Sequence, residues 1–328
     1  MNPGALCKAV MFLGAMAAVA TAQNRSPVAP GPEAQFQTPQ AQTPQTQVLR
    51  TGPLAPAPLP QDANEYVRQS LEHELAEEAR DHTHWRFHYH REDEKNNIDR
   101  DVIETSEGSL ARTLLRWGKP LTAEQRQEDD ARMRKQVSDA EERARIAKRN
   151  REDDEKVQKM LRAISKAFIF EYAGEENGLV RLSFVPNPHY DPPSMEQRIF
   201  RSLNGNLWID RSASRLAGVA GTLFEDVSFG WGILGRLYKG GAFKVVQRDV
   251  GEGHWEVVSE EVNMVGRAVL FKTITRKQSE VFTDFRHMPD SITISQAYEM
   301  LQKDSSSISA NSPQAAFPSQ PSPSSPRF

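Results

Sequence analysis

The stretch from Ala167 to Arg286 constrains the fold most, because it consists of short segments of strand character separated by turn residues. Within these segments apolar and polar residues alternate, which is the period of a strand with one buried face. Connections such as Gly174–Gly178 favour tight turns between them. The predicted strands are Phe168–Tyr172, Leu179–Val185, Gly205–Asp210, Leu216–Phe224, Ala242–Asp249, His254–Met264, Arg267–Thr275 and Glu280–Arg286. This succession predicts an antiparallel meander that forms a curved sheet or an unclosed barrel.

A charged helical segment precedes the meander, at about 122–166. Thr122 and Gln125 have the spacing of a capping box, and Glu, Asp, Arg and Lys dominate the residues up to Lys156. This pattern is typical of a solvated helix held by ion pairs between adjacent turns. A coiled-coil contact and a nucleic-acid contact are the alternatives, and the mixed signs of charge argue against nucleic acid. The stripe from Val157 to Phe168 is far more apolar, so we expect this end to pack.

The remaining elements place the chain in the α+β class, mainly antiparallel β, with a long charged helical insertion. A helix is predicted at Asn64–Asp81 and a short one at Ile292–Leu301. Further strands are predicted at His82–His90, Asn96–Thr105 and Ser109–Trp117. Together these elements predict a single β-rich domain at 63–302, with the helical insertion at about 122–166.

The two ends of the sequence have the composition of export and disorder. Residues 1–22 join Lys8, an apolar run and Ala20-Thr21-Ala22, which is the pattern of a cleavable signal peptide. Residues 23–62 are rich in Pro and Gln, and residues 303–328 are rich in Ser and Pro. Such compositions bury too little apolar surface to fold, so both segments are predicted to be disordered. We therefore expect an exported protein, either periplasmic or secreted, with no transmembrane segment in the mature chain.

The single cysteine excludes several kinds of site. Cys7 lies within the predicted signal peptide, so the mature chain has no thiol for a disulfide, a thiolate zinc site or a nucleophile. The serine-hydrolase, metalloprotease, phosphate-loop and dinucleotide motifs are absent from the sequence. We predict no catalytic residue, no cofactor and no enzymatic activity. The formal net charge of −3 comes from intermixed charges, which argues against nucleic acid as a partner.

One predicted strand, His82–His90, has an aromatic face and a histidine face. Trp85, Phe87 and Tyr89 occupy alternate positions, and His82, His84, Arg86, His88 and His90 occupy the others. Two histidines on one strand face are close enough to share a metal ion. The sequence marks no further ligand on another strand. We therefore predict a buried aromatic face and a solvated histidine face with no metal; a metal site and a pH-responsive surface are the alternatives.

Short phrases of the meander carry a family resemblance. They are Gly205–Asp210, Val227–Trp231, Gly240–Gln247, Gly253–Glu256, Gly266–Lys272 and Asp284–Arg286, with Gly118–Thr122 and Pro186–Pro188 upstream. Over most of 81–288 the chain resembles uncharacterised exported bacterial proteins with a LolA-like fold, the fold of the outer-membrane lipoprotein-sorting carriers. The resemblance implies an unclosed antiparallel barrel that is covered by helices and binds acyl chains in an apolar cavity. It transfers no binding residue to this chain, and fold alone does not establish function.

Two segments are the candidates for lining such a cavity. Alternate small residues in the strand Leu216–Phe224 leave room beside the sheet, unless a helix packs closely there. The connection Phe229–Tyr238 is apolar and rich in glycine, which fits a mobile rim, a surface for a membrane or partner, or an ordinary core loop. The candidate residues are Leu216, Gly218, Ala220, Phe229, Trp231, Ile233 and Leu234.

These features predict an exported, non-enzymatic binding protein that holds a lipid or acyl chain in an apolar cavity. The alternative is a structural or interaction protein of the cell envelope, with a filled core and an envelope protein as partner. A hydrolase or a metal protein that uses the histidine face is the third possibility. The ligand and the partner are not identified by the sequence.

Overall fold

The computed structural model describes residues 58–229, 235–268 and 272–310. These residues form helices and one curved, unclosed antiparallel sheet. The helices are α1 (Ala63–Arg80), α2 (Ala123–Ser138), α3 (Ala140–Ala167) and α4 (Ile294–Ala310), with a 3₁₀ helix at Glu196–Ser202. The strands are β1 (His84–Asp93), β2 (Asn97–Ile103), β3 (Leu110–Arg116), β4 (Lys119–Pro120), β5 (Phe168–Glu176), β6 (Leu179–Pro186), β7 (Leu203–Asp210), β8 (Arg215–Leu223), β9 (Val227–Phe229), β10 (Gly235–Leu237), β11 (Ala242–Gly251), β12 (His254–Ala268) and β13 (Lys272–Met288).

The order of strands explains how the sheet stays open. It runs β4-β3-β2-β1-β13-β12-β11-β8-β7-β6-β5, and the short pair β9 and β10 attaches to β12. One edge of the sheet is formed by β3 and the short β4, and the other edge is formed by β5. The mixed helical and antiparallel architecture predicted from the sequence is confirmed, as is the curved, unclosed sheet.

The charged segment differs from the prediction of one long insertion. Thr122 does cap a helix with Gln125 in a capping box, but α2 ends at Ser138. Asp139 is extended, and its side chain accepts a hydrogen bond from the backbone of Glu142 at the start of α3. An aspartate in this conformation favours a helix start over helix continuation, so the segment forms two helices.

The last two predicted strands were wrong in their bounds. Instead of Arg267–Thr275 and Glu280–Arg286, the chain forms β12, which continues to Ala268, and one strand, β13, from Lys272 to Met288. The predicted bounds leave Gly266 between two strands, but this glycine lies inside β12 where β10 approaches closely. A Cβ built on Gly266 would lie 2.6 Å from the carbonyl oxygen of Arg236. The polar residues from Lys277 to Ser279 are likewise strand residues and not a turn.

The core is divided between the two faces of the sheet. On one face, here called the core face, α1 and the C-terminal part of α3 belong to one cluster with buried residues of β1, β2, β5–β8 and β11–β13. A smaller cluster packs α2, α4 and the end of β13 against Ile103 and Leu110 on the other face, here called the outer face. The helix predicted at 292–301 is present as α4 and continues to Ala310.

Both edges of the sheet are covered by polar side chains. Along β3, Asp129 of α2 accepts a hydrogen bond from Thr113 N at 3.1 Å, and Gln136 donates to the carbonyl of Ser109 at 2.8 Å. At β5, the Asn64 amide donates to Phe168 O at 2.9 Å and accepts from Phe170 N at 3.0 Å. These bonds satisfy backbone groups that would otherwise pair with another chain.

The predicted signal peptide at 1–22, the linker up to residue 57 and the tail from residue 311 lie outside the described residues. The end of the linker is ordered against the domain, because Tyr172 donates a hydrogen bond to the carbonyl of Pro60 at 2.7 Å. Within the described ranges, no helix combines the length and the apolar character needed to span a membrane.

Candidate functional site

One row of paired residues on the core face divides the sheet into an apolar and a polar region. Residues directly opposite each other on neighbouring strands point to the same face. From β6 to β11 this row is Leu182, Leu207, Val219 and Val245, and from β12 to β1 it is Glu260, Glu280 and Arg91. The apolar part lies under α1, and Leu182, Leu207 and Val245 are buried. Along this row the core face changes from hydrocarbon to charge between β11 and β12, and on either side of the row Val262, Met264 and Phe282 remain buried in the core.

The charged part belongs to a larger group, here called the polar patch. Its members are Tyr89, Arg91, Asp93, Arg100, Glu260, Arg276, Gln278 and Glu280, all placed on the core face by strand pairing. Arg91 donates to Asp93 at 2.8 Å and to Gln278 at 3.3 Å, and Arg276 also donates to Gln278 at 3.3 Å. Burial raises the pKa of Tyr89, which is also close to Glu280. The patch is a half-buried network with several cations and anions.

Arg100 is the member of the patch whose charge is not paired. It lies on β2 between Tyr89 of β1 and Thr113 of β3. Its Nε atom is buried and has no hydrogen-bond partner among the described residues. Burial lowers the pKa of Arg100, and the nearby guanidinium of Arg132 lowers this pKa further. Asp129, whose negative charge acts on Arg100, already accepts hydrogen bonds from Thr113 and Arg132.

Helix α3 connects the opposite edges of the open sheet. Its first residue follows α2, which lies along β3, and its last residue continues directly into β5. The 28 residues of α3 extend over about 42 Å. Its C-terminal part is buried against α1, β5 and the 3₁₀ helix, whereas no residue from Ala140 to Lys156 is buried. A half-buried stripe that includes Arg143, Ile146, Ala147, Asn150 and Asp154 continues the buried stripe at helical spacing, so it points toward the sheet.

The apolar region contains one buried polar cluster, under α1. Glu74 accepts two hydrogen bonds from Arg215, at 2.7 and 2.9 Å, one from Gln247 at 2.7 Å and one from Leu216 N at 3.1 Å. Arg215 also lies over the ring of Trp255, 5.8 Å from its centroid. These bonds satisfy the carboxylate and fix α1 to β8 and β11, which is a structural role.

One turn further along α1, Glu78 lacks such compensation. Its Oε2 atom is buried and has no hydrogen-bond partner among the described residues. Burial raises the pKa of Glu78 to about 7, and the negative charges of Glu74 and Asp154 contribute to the rise. Glu78 therefore titrates near neutral pH at the contact between α1 and α3.

The predicted cavity residues of β8 do not lie on one face. A bulge between β7 and β8 pairs Ile209 with Leu216 but Trp208 with Gly218, so the alternation shifts by one residue at Ala217. Leu216 is buried in the core, whereas Gly218 and Ala220 lie on the outer face. The side chain of Phe229 and the residues Trp231, Ile233 and Leu234 lie outside the described part of the chain.

On the core face, neighbouring side chains and backbone atoms occupy the space beside the glycines of the meander. A Cβ on Gly221 would lie 2.6 Å from the ring of Phe243, and one on Gly205 would lie 2.0 Å from the carbonyl oxygen of Ala220. On the outer face, a Cβ on Gly218 would lie 3.0 Å from the carbonyl oxygen of Val245. These glycines allow close approach of rings and backbone, and they leave no space for an acyl chain at these positions.

The histidines of β1 are divided between environments. His88 Nε2 lies 3.2 Å and His90 Nδ1 lies 2.9 Å from the same Asp99 oxygen, on the outer face. His84 is buried, contrary to the expectation of a wholly solvated face, because it pairs with Met288, which belongs to the smaller core cluster. Trp85 and Phe87 are buried as predicted. No three His, Cys, Asp or Glu side chains in the described ranges are arranged to bind a metal ion.

The outer face has an open groove of about 710 Å³ across β1, β13, β12 and β11. Side chains that point into it include Glu92, Glu261, Lys244 and Lys277, so both signs of charge are present. The groove is open to solvent, and it is lined by charged and apolar residues together. It resembles ordinary solvated sheet surface more than a ligand pocket.

Sequence reasoning did not identify the polar patch or the edge contacts of α2. Asp129, Arg132 and Gln136 recur at helical spacing, and this polar stripe was the available signal for a helix that lies along a sheet edge. The residues next to Arg100 in the sequence do not distinguish it from other arginines, because its environment is formed by β3 and α2. Comparisons with known proteins give no relative: no family model, no curated protein and no solved structure matches the chain.

Proposed function

We propose that the protein is an exported binding protein that holds a lipid-like ligand between α3 and the polar patch, without catalysing a reaction. The observation that carries the proposal is the course of α3. This helix bridges both edges of the open sheet, yet its residues up to Lys156 have no buried side chain. The side chains of this part of α3 that point toward the sheet are only half-buried, and we place the ligand between them and the sheet.

The chemistry on both sides of this place supports an amphipathic ligand. Tyr89 and Ile98 are half-buried on the core face, and Ile146 and Ala147 are half-buried in the stripe of α3 that points toward the sheet. The arginines of the polar patch lie beside these apolar groups. This arrangement is compatible with the helix-covered, unclosed barrel that the LolA-like resemblance implies, and that family assignment is part of the proposal.

A fluorescent label on α3 tests the proposal directly. Cys7 is the only cysteine, so Ala147→Cys in a Cys7→Ser background gives a single labelling position. We expect saturable emission changes with a fatty acid in the micromolar range, which is about −8 kcal/mol. A label at Ala213→Cys, in the turn before β8, is the matched control and should not respond. Emission that is unchanged at Ala147, with the protein folded, contradicts ligand binding under α3.

The alternative is an interaction protein of the cell envelope, and it is supported by the filled glycine positions of the apolar region. In that case the partner binds the outer face, where the groove has both signs of charge. Charge reversal at Lys244 and Lys277 would then weaken partner binding in pull-down experiments from the native envelope. The same changes leave fatty-acid binding under α3 unaltered if the carrier proposal is correct.

A further inference from the structure

The strongest unexplained feature of the core face is the charge of Arg100. Arg91 has Asp93 and Glu280 as ionic partners, at 2.8 and 3.8 Å, and Arg132 has Asp129 at 2.8 Å. Arg100 makes no salt bridge with any described residue, although its Nε atom is buried. Burying part of a guanidinium without a partner is unfavourable, so a ligand that supplies the acceptor would be stabilised there.

The donors around Arg100 are already oriented. Arg132 is fixed from two sides, because it donates to the carboxylate of Asp129 and to the backbone carbonyl of Ala111. Its Nη1 atom makes no hydrogen bond to the described residues, so this donor remains available next to Arg100. Planar guanidinium groups bind carboxylate and phosphate through paired hydrogen bonds, and fixed donors lose little entropy on binding.

We infer that the polar end of the ligand is an oxyanion, a carboxylate or a phosphate, bound by the guanidinium groups of Arg100 and Arg132. This inference rests on the proposed function, because it names the head group of the same ligand. Burial and the charge of Arg132 lower the pKa of Arg100. A bound anion would reduce the repulsion between these two guanidinium groups. The ligand class is therefore a lipid with an anionic head group.

The test compares ligands that differ only in the head group. Binding of myristate and of tetradecanol is measured with the label at Ala147→Cys, for the parent protein and for Arg100→Gln. We expect the parent to bind myristate on the order of tenfold more tightly than tetradecanol, and Arg100→Gln to remove this preference. Arg100→Lys, which keeps the charge, should retain part of it. Arg248→Gln, at an exposed arginine of β11, is the matched control and should change nothing.

Competition with inorganic phosphate and with acetate shows which oxyanion the site prefers. Equal binding of myristate and tetradecanol to the parent and to Arg100→Gln would overturn the oxyanion inference and leave the ligand proposal intact. If neither lipid binds, the ligand proposal fails. The oxyanion inference is then tested separately, by the effect of phosphate on thermal unfolding. Phosphate that stabilises the parent but not Arg100→Gln supports an oxyanion site, and phosphate that stabilises neither overturns it.

Discussion

The apolar and polar regions of the core face lie on different strands of one sheet, and they differ in packing and in hydrogen bonding. In the apolar region Phe184 lies over Gly205, and its ring centroid is 4.7 Å from that of Phe168, so side chains fill the space between sheet and helices. In the polar patch Arg91 and Arg276 both donate to Gln278, and the two arginines are only half-buried. The first region provides stability through dense packing. The second retains unpaired donors, which is a property of binding sites and not of cores.

The largest expected effect is the loss of packing in the apolar region. Phe184→Ala should lower the free energy of unfolding by about 3–5 kcal/mol, because it removes a ring that is packed on two other aromatic rings. Ile98→Ala in the polar region should cost at most about 1 kcal/mol, because Ile98 is only half-buried. Urea unfolding of both variants measures the difference. Similar losses for the two would mean that the regions do not differ in packing.

The pH dependence of stability tests the one unsatisfied carboxyl group in the apolar region. The folded-state pKa of Glu78, about 7, is above the ordinary value of 4.5, so the folded state retains this proton longer than the unfolded state. Its contribution is complete below pH 4.5 and is lost as the pH rises to 7, at most about 3 kcal/mol. Glu78→Gln should flatten the stability curve in this window. Asp81 and Asp93 have lowered pKa values, and their contributions are lost only at more acidic pH.

Two neighbouring small residues, one on each side of the sheet, show how tightly the two faces are packed. Gly221→Ala should lower the free energy of unfolding by about 1–3 kcal/mol, since its Cβ would meet the ring of Phe243 and Leu203. Ala220→Leu should change it by less than about 0.5 kcal/mol, because Ala220 points to the outer face. Thermal melting of both variants is the measurement. A stable Gly221→Ala variant would indicate unfilled space on the core face.

The positions of β5–β8 could be predicted from the sequence, but the contacts between neighbouring strands could not. Period-two alternation and glycine turns located β5–β8, because both signals are local to each strand. The bulge at Ala217, the interior position of Gly266 and the burial of His84 depend on neighbouring strands. No local pattern reports on them. For this reason the residues after Ala217 were predicted on the wrong face, Gly266 was left outside the strands, and His84 was predicted to be exposed to solvent.

The candidate site was less predictable than the fold. A chain of small residues in β8 suggested a cavity, but small residues have the same sequence pattern whether they border empty space or a packed ring. The route of α3 across the open sheet follows from the identity of the edge strands, which a sequence does not show. Arg100 differs from the other arginines only through its surroundings, which are formed by β1, β3 and α2.

The smallest predicted effect concerns the stability of the ligand-free protein and separates two arginines of the polar patch. Arg91→Gln should destabilise by about 1–3 kcal/mol, because it removes the guanidinium that pairs with both Asp93 and Glu280. Arg100→Gln should leave the stability unchanged or raise it by up to about 1 kcal/mol, because it removes a half-buried charge that has no ionic partner and is repelled by Arg132. Urea unfolding in a chloride buffer without oxyanions measures both. If Arg100→Gln destabilises as much as Arg91→Gln, then Arg100 is a structural residue. The contrast between a satisfied arginine and an available one would be lost, and with it the reason to place an anionic head group at Arg100.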